Sequence, residues 1–463
     1  MRIIIVGCGK IGAALAWTLS EKKDCHVTVV DKIPNVLETS GEIPDVIFIA
    51  GNGVNENILR QADAKNADLI VCTTNSDELN ILCCIMAERL GTKHSIARVR
   101  NPEYMLEFNR LWKDLGIDMA INPEWQTARV ISRILRYPAA DDIETFIDGR
   151  VELVSFKISE SPEYFIGKSI SKIFNRKMGI LLALVQRGDA VSIPHGDFVF
   201  EHGDVIKIMG RASKIMAFFA LLKKIPKSQD IMVIGGGRIT YYLAELLNRH
   251  TIKTSMRIIE KDRDKCESLC ETLTSANLAK HLMFIHGDGT DEDLLAAENI
   301  EKMDAFICLT DRDEENAIIS LYALKTGVKK VITKVTHLHQ NMIKSLITKL
   351  GNIIAPQDIT KDIILRYIDG FSGVSDHSIV TVHQIFSSES ETVNAVEFNI
   401  SKNAKCLGTP IQNLKINKDV LLGCISRGSE IIIPSGETAL QIGDRVVAIS
   451  KFKELREIDD IIT

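Results

Sequence analysis

The sequence predicts an α/β protein written twice: two Rossmann-like, doubly wound parallel sheets, each followed by a small α+β lobe, in a chain of 463 residues. Three observations carry that prediction. Short β-branched runs alternate with longer amphipathic stretches over the first 140 residues or so, the rhythm of crossover units and a parallel sheet with helices on both faces. A glycine turn, "IIIVGCGKIGAALA" at 3–16, recurs as "IMVIGGGRITYYLA" at 231–244, placing Gly7 on Gly235, 228 residues apart. Other segments then recur in the same order, so the repeat is a module of about 230 residues, far longer than a solenoid unit.

Taken in order, the first strands fall at Arg2 to Val6, His26 to Val30, Val46 to Ile49, Leu69 to Cys72, Ser95 to Arg98 and Met119 to Ile121. Their near-continuous apolar character is that of strands buried on both faces. Beyond them, "GILLALVQRGDAVSIPHGDFVFEHGDVIKIMG" (179–210) has short strands separated by Arg187-Gly188-Asp189, His195-Gly196-Asp197 and His202-Gly203-Asp204, preceded by a short helix near Gly167 to Phe174. A basic, proline-marked segment from Lys223 to Ser228 suits a linker. In the second copy "DAFICLTDRDEEN" (304–316) matches "DLIVCTTNSDELN" (68–80) and "ITKVTHLHQ" (332–340) faces "IARVRNPEY" (96–104), both 236 apart. Later, "IPSGETALQIGDRVVAI" (433–449) matches "IPHGDFVFEHGDVIKI" (193–208). The expected domains are 1–140 and 226–370 for the nucleotide-type lobes, and 141–225 and 371–463 for the small lobes.

Composition is that of a globular protein, 45% hydrophobic, 25% charged and 6% aromatic. With 56 basic against 61 acidic side chains, the net charge of −5 gives no general electrostatic reason to bind nucleic acid. The ten cysteines include no pair at zinc-knuckle spacing, so reduced thiols in a cytoplasmic protein and no metal site are expected. The apolar run from Ile3 to Leu19 is broken by Lys10 and three glycines, which excludes a membrane span and an export signal. A chain working in the cytosol, free to dock on a membrane protein, is the expectation.

Gly7-Cys8-Gly9-Lys10-Ile11-Gly12 is a GxGxxG run that follows a strand and opens a helix. Gly7 permits the tight turn, Gly9 lets a pyrophosphate approach the backbone, and Gly12 lets helix and strand pack closely. The helix N-terminus offers unpaired N–H groups to phosphate. Asp31 ends the second strand nineteen residues after Gly12, where a carboxylate accepts both ribose hydroxyls of an adenosine and repels a 2′-phosphate. In the second copy Gly235-Gly236-Gly237-Arg238-Ile239 keeps the turn, Glu260 takes the place of Asp31, and Asp288 stands where the first copy has Asn52. Thr240 replaces the third glycine, and its β-branched side chain is expected to hold the helix off its strand and weaken binding. Thr73 and Thr74, at the end of the fourth strand, are placed to face a ribose, and Arg98 to reach phosphate oxygens; Lys334 is its counterpart.

These residues, with "TTNSDELN", "ARVRNPEY", "INPEWQTARVISRIL" and the trailing "IPHGD…GD" lobe, resemble the TrkA family of peripheral subunits of Trk-type potassium uptake systems. The repeated unit of that family is the RCK domain followed by a TrkA C-terminal lobe. The resemblance implies a cytosolic ring, commonly a tetramer, that binds NAD(H) or ATP/ADP and gates a membrane partner conducting K⁺. Carried over by position, the first site would use Gly7 to Ile11, Asp31, Thr73, Thr74 and Arg98, and the second Gly235 to Ile239, Glu260, Asp288, Thr310 and Asp311. Asn52 departs from the family's usual Asp.

Two other readings compete. A nicotinamide dehydrogenase needs an acid–base group near the hydride acceptor, but His195 and His202 sit in turns, Ser435 replaces His195 in the repeat, and the His337–His339 pair has no evident partner. A pure assembly scaffold would make no use of Asp31. The helices at 124–138 and 356–369 carry apolar stripes that suit core packing, and the resemblance implies that they lead to lobe and subunit contacts.

Overall fold

The computed structural model describes the chain apart from residues 23, 35–42, 108–110, 225–227, 250–251, 337–351, 373–378, 388–390, 403, 452–454, 456 and 463. The first lobe runs β1 (Arg2–Val6), α1 (Lys10–Ser20), β2 (His26–Asp31), β3 (Val46–Ala50), α2 (Glu56–Gln61), β4 (Leu69–Cys72), α3 (Asp77–Leu90), β5 (His94–Arg98), α4 (Pro102–Glu107), β6 (Met119–Ile121) and α5 (Pro123–Arg136). Its strands pair in parallel in the order β3-β2-β1-β4-β5-β6. Ile3 to Val6 and all of β4 are buried, as central strands covered on both faces must be. The strand order reverses between β1 and β4, which opens a crevice at their carboxyl ends.

The first small lobe contains β7 (Asp142–Phe146), β8 (Val151–Lys157), α6 (Pro162–Phe165), α7 (Ile170–Ile173), β9 (Ile180–Arg187), β10 (Ala190–Ser192), β11 (Val205–Gly210) and α8 (Ala212–Leu221). The short helix expected near Gly167 to Phe174 is α7, and a second one-turn helix, α6, precedes it across Gly167, whose φ of +74° no helix interior accommodates. The five strands are antiparallel in the order β10-β9-β11-β8-β7.

The second copy repeats both patterns. Its first lobe runs β12 (Ser228–Ile234), α9 (Arg238–Asn248), β13 (Lys253–Glu260), α10 (Arg263–Ser275), β14 (Leu282–His286), α11 (Glu292–Ala297), β15 (Ala305–Cys308), α12 (Asp313–Lys325), β16 (Lys330–Lys334), β17 (Asn352–Ile354) and α13 (Pro356–Ser372). The parallel order is β14-β13-β12-β15-β16-β17. Its small lobe has β18 (Ile379–Ser387), β19 (Thr392–Asn399), β20 (Val420–Arg427), β21 (Glu430–Ile432) and β22 (Arg445–Ser450), in the order β18-β19-β22-β20-β21. Ser228, read as the end of a linker, already opens β12, and residues 225–227 of that segment lie outside the described residues.

The compact units cut across the sequence repeat. Residues 1–132 and 228–365 form one unit, and 133–227 and 366–463 form the other. Like therefore packs on like. In the small-lobe unit, Phe146, Leu153, Leu184 and Met209 of one sheet share a core with Val393, Ala395, Val447 and Ile449 of the other. Each sheet packs one face within its own lobe, so its second apolar face needs a partner, and the other sheet supplies it. Across that core the Ile147 N–H donates to Glu397 Oε2 at 3.1 Å, and Arg150 donates to Ser426 Oγ at 2.7 Å. In the parallel-sheet unit, Asn122 Nδ2 donates to the Tyr242 hydroxyl at 2.8 Å, which donates to the Arg100 carbonyl at 3.0 Å. Trp125 meets the same ring edge-on, centroids 5.4 Å apart. Burial pushes the Tyr242 hydroxyl up to about 12, so at neutral pH it keeps the proton this contact uses.

Candidate nucleotide site

Both glycine turns are built alike. Gly7 and Gly235 take φ of +98° and +105°, a conformation that glycine adopts without strain. Gly9 and Gly237 cap α1 and α9 in extended conformation. A Cβ added at either would meet nothing within 4 Å, so the backbone at both turns is open to close approach by a phosphate.

The two turns differ at the third glycine, and the difference is compensated. In the first copy a Cβ at Gly12 would lie 1.9 Å from the Gly7 carbonyl oxygen. That oxygen accepts a hydrogen bond from Thr73 Oγ1 at 3.1 Å. In the second copy the position of Thr73 is Leu309, and it is Thr240 Oγ1 that donates to the matching Gly235 carbonyl, at 2.6 Å. Thr240 is fully buried. Since no Cβ fits at 1.9 Å, the backbone contact made at Gly12 is not repeated at Thr240. The hydroxyl has moved from strand to helix.

The carboxylates expected to hold ribose also hold the turns. Asp31 Oδ2 accepts the Cys8 N–H at 2.6 Å and Oδ1 the Ile33 N–H at 2.9 Å. Glu260 Oε2 accepts the Gly236 N–H at 2.6 Å and Oε1 the Asp262 N–H at 2.9 Å. Asn52 Oδ1 accepts the Val54 N–H at 3.2 Å, closing its own loop. Its counterpart Asp288 accepts from Thr290 N–H and Oγ1 and pairs with Lys261 Nζ at 2.6 Å, which holds its carboxyl down at about 2.

At the strand ends a repeated asparagine organises the loop. Asn80 Oδ1 accepts from the Thr74 N–H and hydroxyl at 2.9 and 2.7 Å, while its Nδ2 donates to the Thr74 and Arg98 carbonyls. Asn316 does the same for Thr310, and donates to the Lys334 carbonyl. Thr73 and Thr74 thus spend their hydroxyls inside the protein, on Gly7 and Asn80, where the sequence suggested that they face a ribose. The reason is local: buried backbone groups at the end of β4 need partners.

A cavity of about 910 Å³ opens within the parallel-sheet unit and is lined from both copies. The first copy contributes Gly9, Lys10, Ile11, Thr73, Asn75, Arg98, Arg100 and Glu124; Gly7, Cys8, Gly12, Asp31, Asn52 and Thr74 are not in its wall. The second contributes Gly235, Gly237, Arg238, Ile239, Thr240, Glu260, Asp288, Thr310, Asp311, Lys334 and Gln357, among others. Gly236 sits behind this wall, donating to Glu260.

The charge of this wall crosses between copies. Burial pulls the Arg98 guanidinium down from its ordinary value, Glu124 at 3.8 Å opposes that, and Arg238 of the other copy adds to the pull. Conversely, the Asp311 carboxyl is held low chiefly by Lys334, at 2.8 Å, and further by Lys10. The fourth residue of each glycine turn is therefore felt electrostatically in the opposite copy. Arg98 Nε, Glu124 Oε2 and Gln357 Oε1 are buried with no hydrogen-bond partner, a concentration that a polar ligand would relieve, whereas Arg100 Nε, also short of a hydrogen bond, lies 3.6 Å from Asp77 Oδ1. Arg100, Glu124, Gln357, Lys261 and Lys265 were not picked out from the sequence as ligand-facing. For Glu124 and Gln357 a signal existed, because each follows the proline that opens its helix.

His195 and His202 lie exposed in turns of the small-lobe unit, and His337 and His339 lie outside the described residues. Among the described residues no cluster of His, Cys, Asp and Glu is suited to a metal ion. No described helix is long and apolar enough to cross a membrane.

Comparison with known proteins places this geometry. The TrkA-N domain model matches residues 3–123 and 231–354, and the TrkA-C domain model matches 153–223 and 395–463. The chain belongs to the TrkA family. Members similar to it include the Trk system potassium uptake protein TrkA homolog 1 of Methanosarcina mazei, 32% identical over 467 residues and covering 99% of each chain. The TrkA homolog of Archaeoglobus fulgidus is 30% identical over 466 residues, covering both chains fully. TrkA of Vibrio alginolyticus is 29% identical over 456 residues, 96% of this chain and 95% of its own. Among solved structures, the GsuK RCK domain superposes with a TM-score of 0.61 at 18% identity, over 97% of this chain and 92% of that one. The GsuK channel bound to NAD gives the same TM-score and identity over 76% of its own chain. At that identity the likeness establishes the tandem RCK fold.

Proposed function

We propose that this TrkA-family chain is the nucleotide-reading regulatory subunit of a Trk-type potassium uptake system, working without catalysis of its own. Potassium uptake is the role its full-length relatives are named for. The ligands are adenosine nucleotides, NAD(H) and/or ATP/ADP, held with phosphates at the N-termini of α1 and α9 and ribose at Asp31 and Glu260. The chain assembles as a homo-oligomer, a tetramer, in the cytoplasm, and sits on the inner face of the membrane through a Trk-type potassium-conducting partner. It has no nucleic-acid partner.

One observation carries the mechanism: both glycine turns and both strand-end cations, Arg98 and Lys334, line a single cavity. A ligand seated on one turn presents its charge to the opposite copy, so its binding free energy depends on how the two copies are arranged. A nucleotide that prefers one arrangement shifts the population toward it, and the partner pore reads that shift. Eight basic side chains against five carboxylates in the wall favour an anion.

Calorimetric titration of NAD⁺, NADH, ATP and ADP into wild type, Asp31→Arg and Glu260→Arg tests this reading. Binding by wild type, with one class of site lost in each variant, is expected. Wild-type protein that takes up none of the four would overturn it.

A further inference from the structure

Another cavity, of about 240 Å³, opens at the far end of the second parallel sheet from its glycine turn. Leu247 of α9, Ile252 just before β13 and Met256 within it form a buried apolar floor. Around that floor stand Asn248, Lys253, Lys280 and His281, all exposed. No carboxylate is among the described residues of the wall, and neither lysine pairs with one elsewhere among the described residues. Two ammonium groups and an imidazole thus share the rim of an apolar cavity with no counter-charge.

Packing of helix on strand accounts for the floor but not for the rim. The strand register matches the two copies residue for residue, since Met256 pairs with Leu282 as Val27 pairs with Val46. On that match Lys253 takes the place of Asp24, and His281 that of Asp45. Lys280 takes the place of Pro44. Two acids of the first copy are therefore bases in the second. Folding the same sheet requires neither sign at these positions, and the reversal falls on the rim of a cavity.

We propose that this cavity binds a small amphipathic anion, an aliphatic carboxylate whose chain lies on Leu247, Ile252 and Met256 and whose head group is held by Lys253, Lys280 and His281. Burying the chain supplies affinity, and the uncompensated bases select the charge. The volume falls below the roughly 300–1,000 Å³ of drug-sized sites, which limits the ligand to a short chain. This site is separate from the nucleotide cavity. Both cavities are lined by α9 and β13, with Arg238 and Glu260 at one end and Asn248 and Lys253 at the other. Along α9 those ends are about 15 Å apart, at roughly 1.5 Å per residue. The proposal therefore does not rest on the nucleotide reading, and the two ligands do not compete for space.

Calorimetric titration of sodium octanoate into the full chain tests it. Saturable binding is expected, with octanol, which lacks the charge, and inorganic phosphate, which lacks the chain, each weaker by about tenfold or more. Giving the second copy the first copy's residues, Lys253→Asp with His281→Asp, is expected to weaken octanoate by about tenfold or more. The thermal melt and the ADP titration of that variant should match wild type. In methionine-methyl NMR the Met256 signal, assigned through Met256→Leu, is expected to move as octanoate is added to wild type. Octanoate that does not saturate at millimolar concentration overturns the site. So does equal affinity for octanol, full octanoate affinity in the double variant, or a Met256 signal that stays in place. Displacement of octanoate by ADP would assign its binding to the nucleotide cavity, which also overturns the proposal.

Discussion

Asp31 Oδ2 accepts the Cys8 main-chain N–H at 2.6 Å, tying the end of β2 to the first glycine turn. Glu260 repeats the tie to Gly236 at the same distance. Each carboxylate also takes an N–H two residues beyond itself. The acid proposed to receive ribose is thus fixed in place before any ligand arrives, with lone pairs to spare. Asp31→Asn keeps the shape and loses the charge and one acceptor. It is expected to cost about 1–2 kcal/mol of stability and about tenfold in adenosine affinity at the first site. Glu260→Gln should do the same at the second. Thermal melts and calorimetry of each variant check both parts, and full affinity in Asp31→Asn would count against the ribose assignment.

The exchange of Gly12 and Thr73 for Thr240 and Leu309 makes a second prediction. Gly12→Ala drives a Cβ onto the Gly7 carbonyl and should destabilise the first lobe by roughly 1–3 kcal/mol or more. Thr240→Gly removes the hydroxyl that serves Gly235 and places a glycine in α9, a loss of about 1–2 kcal/mol. Leu309→Thr returns a hydroxyl to the position Thr73 occupies in the first copy. In the double variant the loss should be smaller than the two single losses together, as expected of residues sharing one partner. Simple additivity in urea unfolding would show that the two hydroxyls are not interchangeable.

Much of this was legible in the sequence. The strand positions stand out because runs such as Ile3 to Val6 are buried on both faces and so uniformly apolar. The glycine turns declare themselves because Gly7 and Gly235 need positive φ. Other features were hidden for physical reasons. That like lobes pair with like depends on complementary surfaces some 230 residues apart, as where Met209 and Val447 join one core, and no local pattern encodes it. The direction in which Thr73 turns its hydroxyl is set by an unpaired carbonyl nearby, which strand position alone does not reveal. In α12 apolar residues on two faces blur the helical stripe, so exposed Ile318 reads like core.

Asn80 and Asn316 were visible only as repeated letters, and their role yields a third prediction. Each bonds four groups of its strand-end loop at once. Asn80→Leu fills the space but leaves the Thr74 N–H and the Arg98 carbonyl without this partner. A loss of roughly 2–4 kcal/mol is expected, since each orphaned buried group costs about 1–3 kcal/mol. Asn80→Asp keeps the acceptor and loses the donor, and should fall between. Hydrogen exchange at Thr74 should quicken more in Leu than in Asp. Equal protection in both variants would remove the asparagine from this role.

The small-lobe unit supplies a pH prediction. Lys207 Nζ lies 3.2 Å from Glu144 Oε1 and 3.3 Å from Asp142 Oδ2. Burial raises Glu144 from its ordinary 4.5 to about 7, against the pull of Lys207 and with help from Asp142. Between those values the folded chain holds a proton that the unfolded chain has released, so this group's contribution to stability falls as pH rises from about 4.5 to 7. His383, packed edge-on to Phe146, runs the other way. Burial, with Arg366 nearby, lowers it from 6.5 to about 4, so its contribution is complete above 6.5 and is lost as pH falls toward 4. Glu144→Gln removes the first effect and leaves the second. Relative to wild type, the variant should gain on the order of 1–3 kcal/mol between pH 5 and pH 8. Scanning calorimetry of both proteins across that range measures it. A difference in melting temperature that stays flat from pH 5 to 8 would mean that Glu144 is already ionised in the fold at pH 5, with Lys207 outweighing burial.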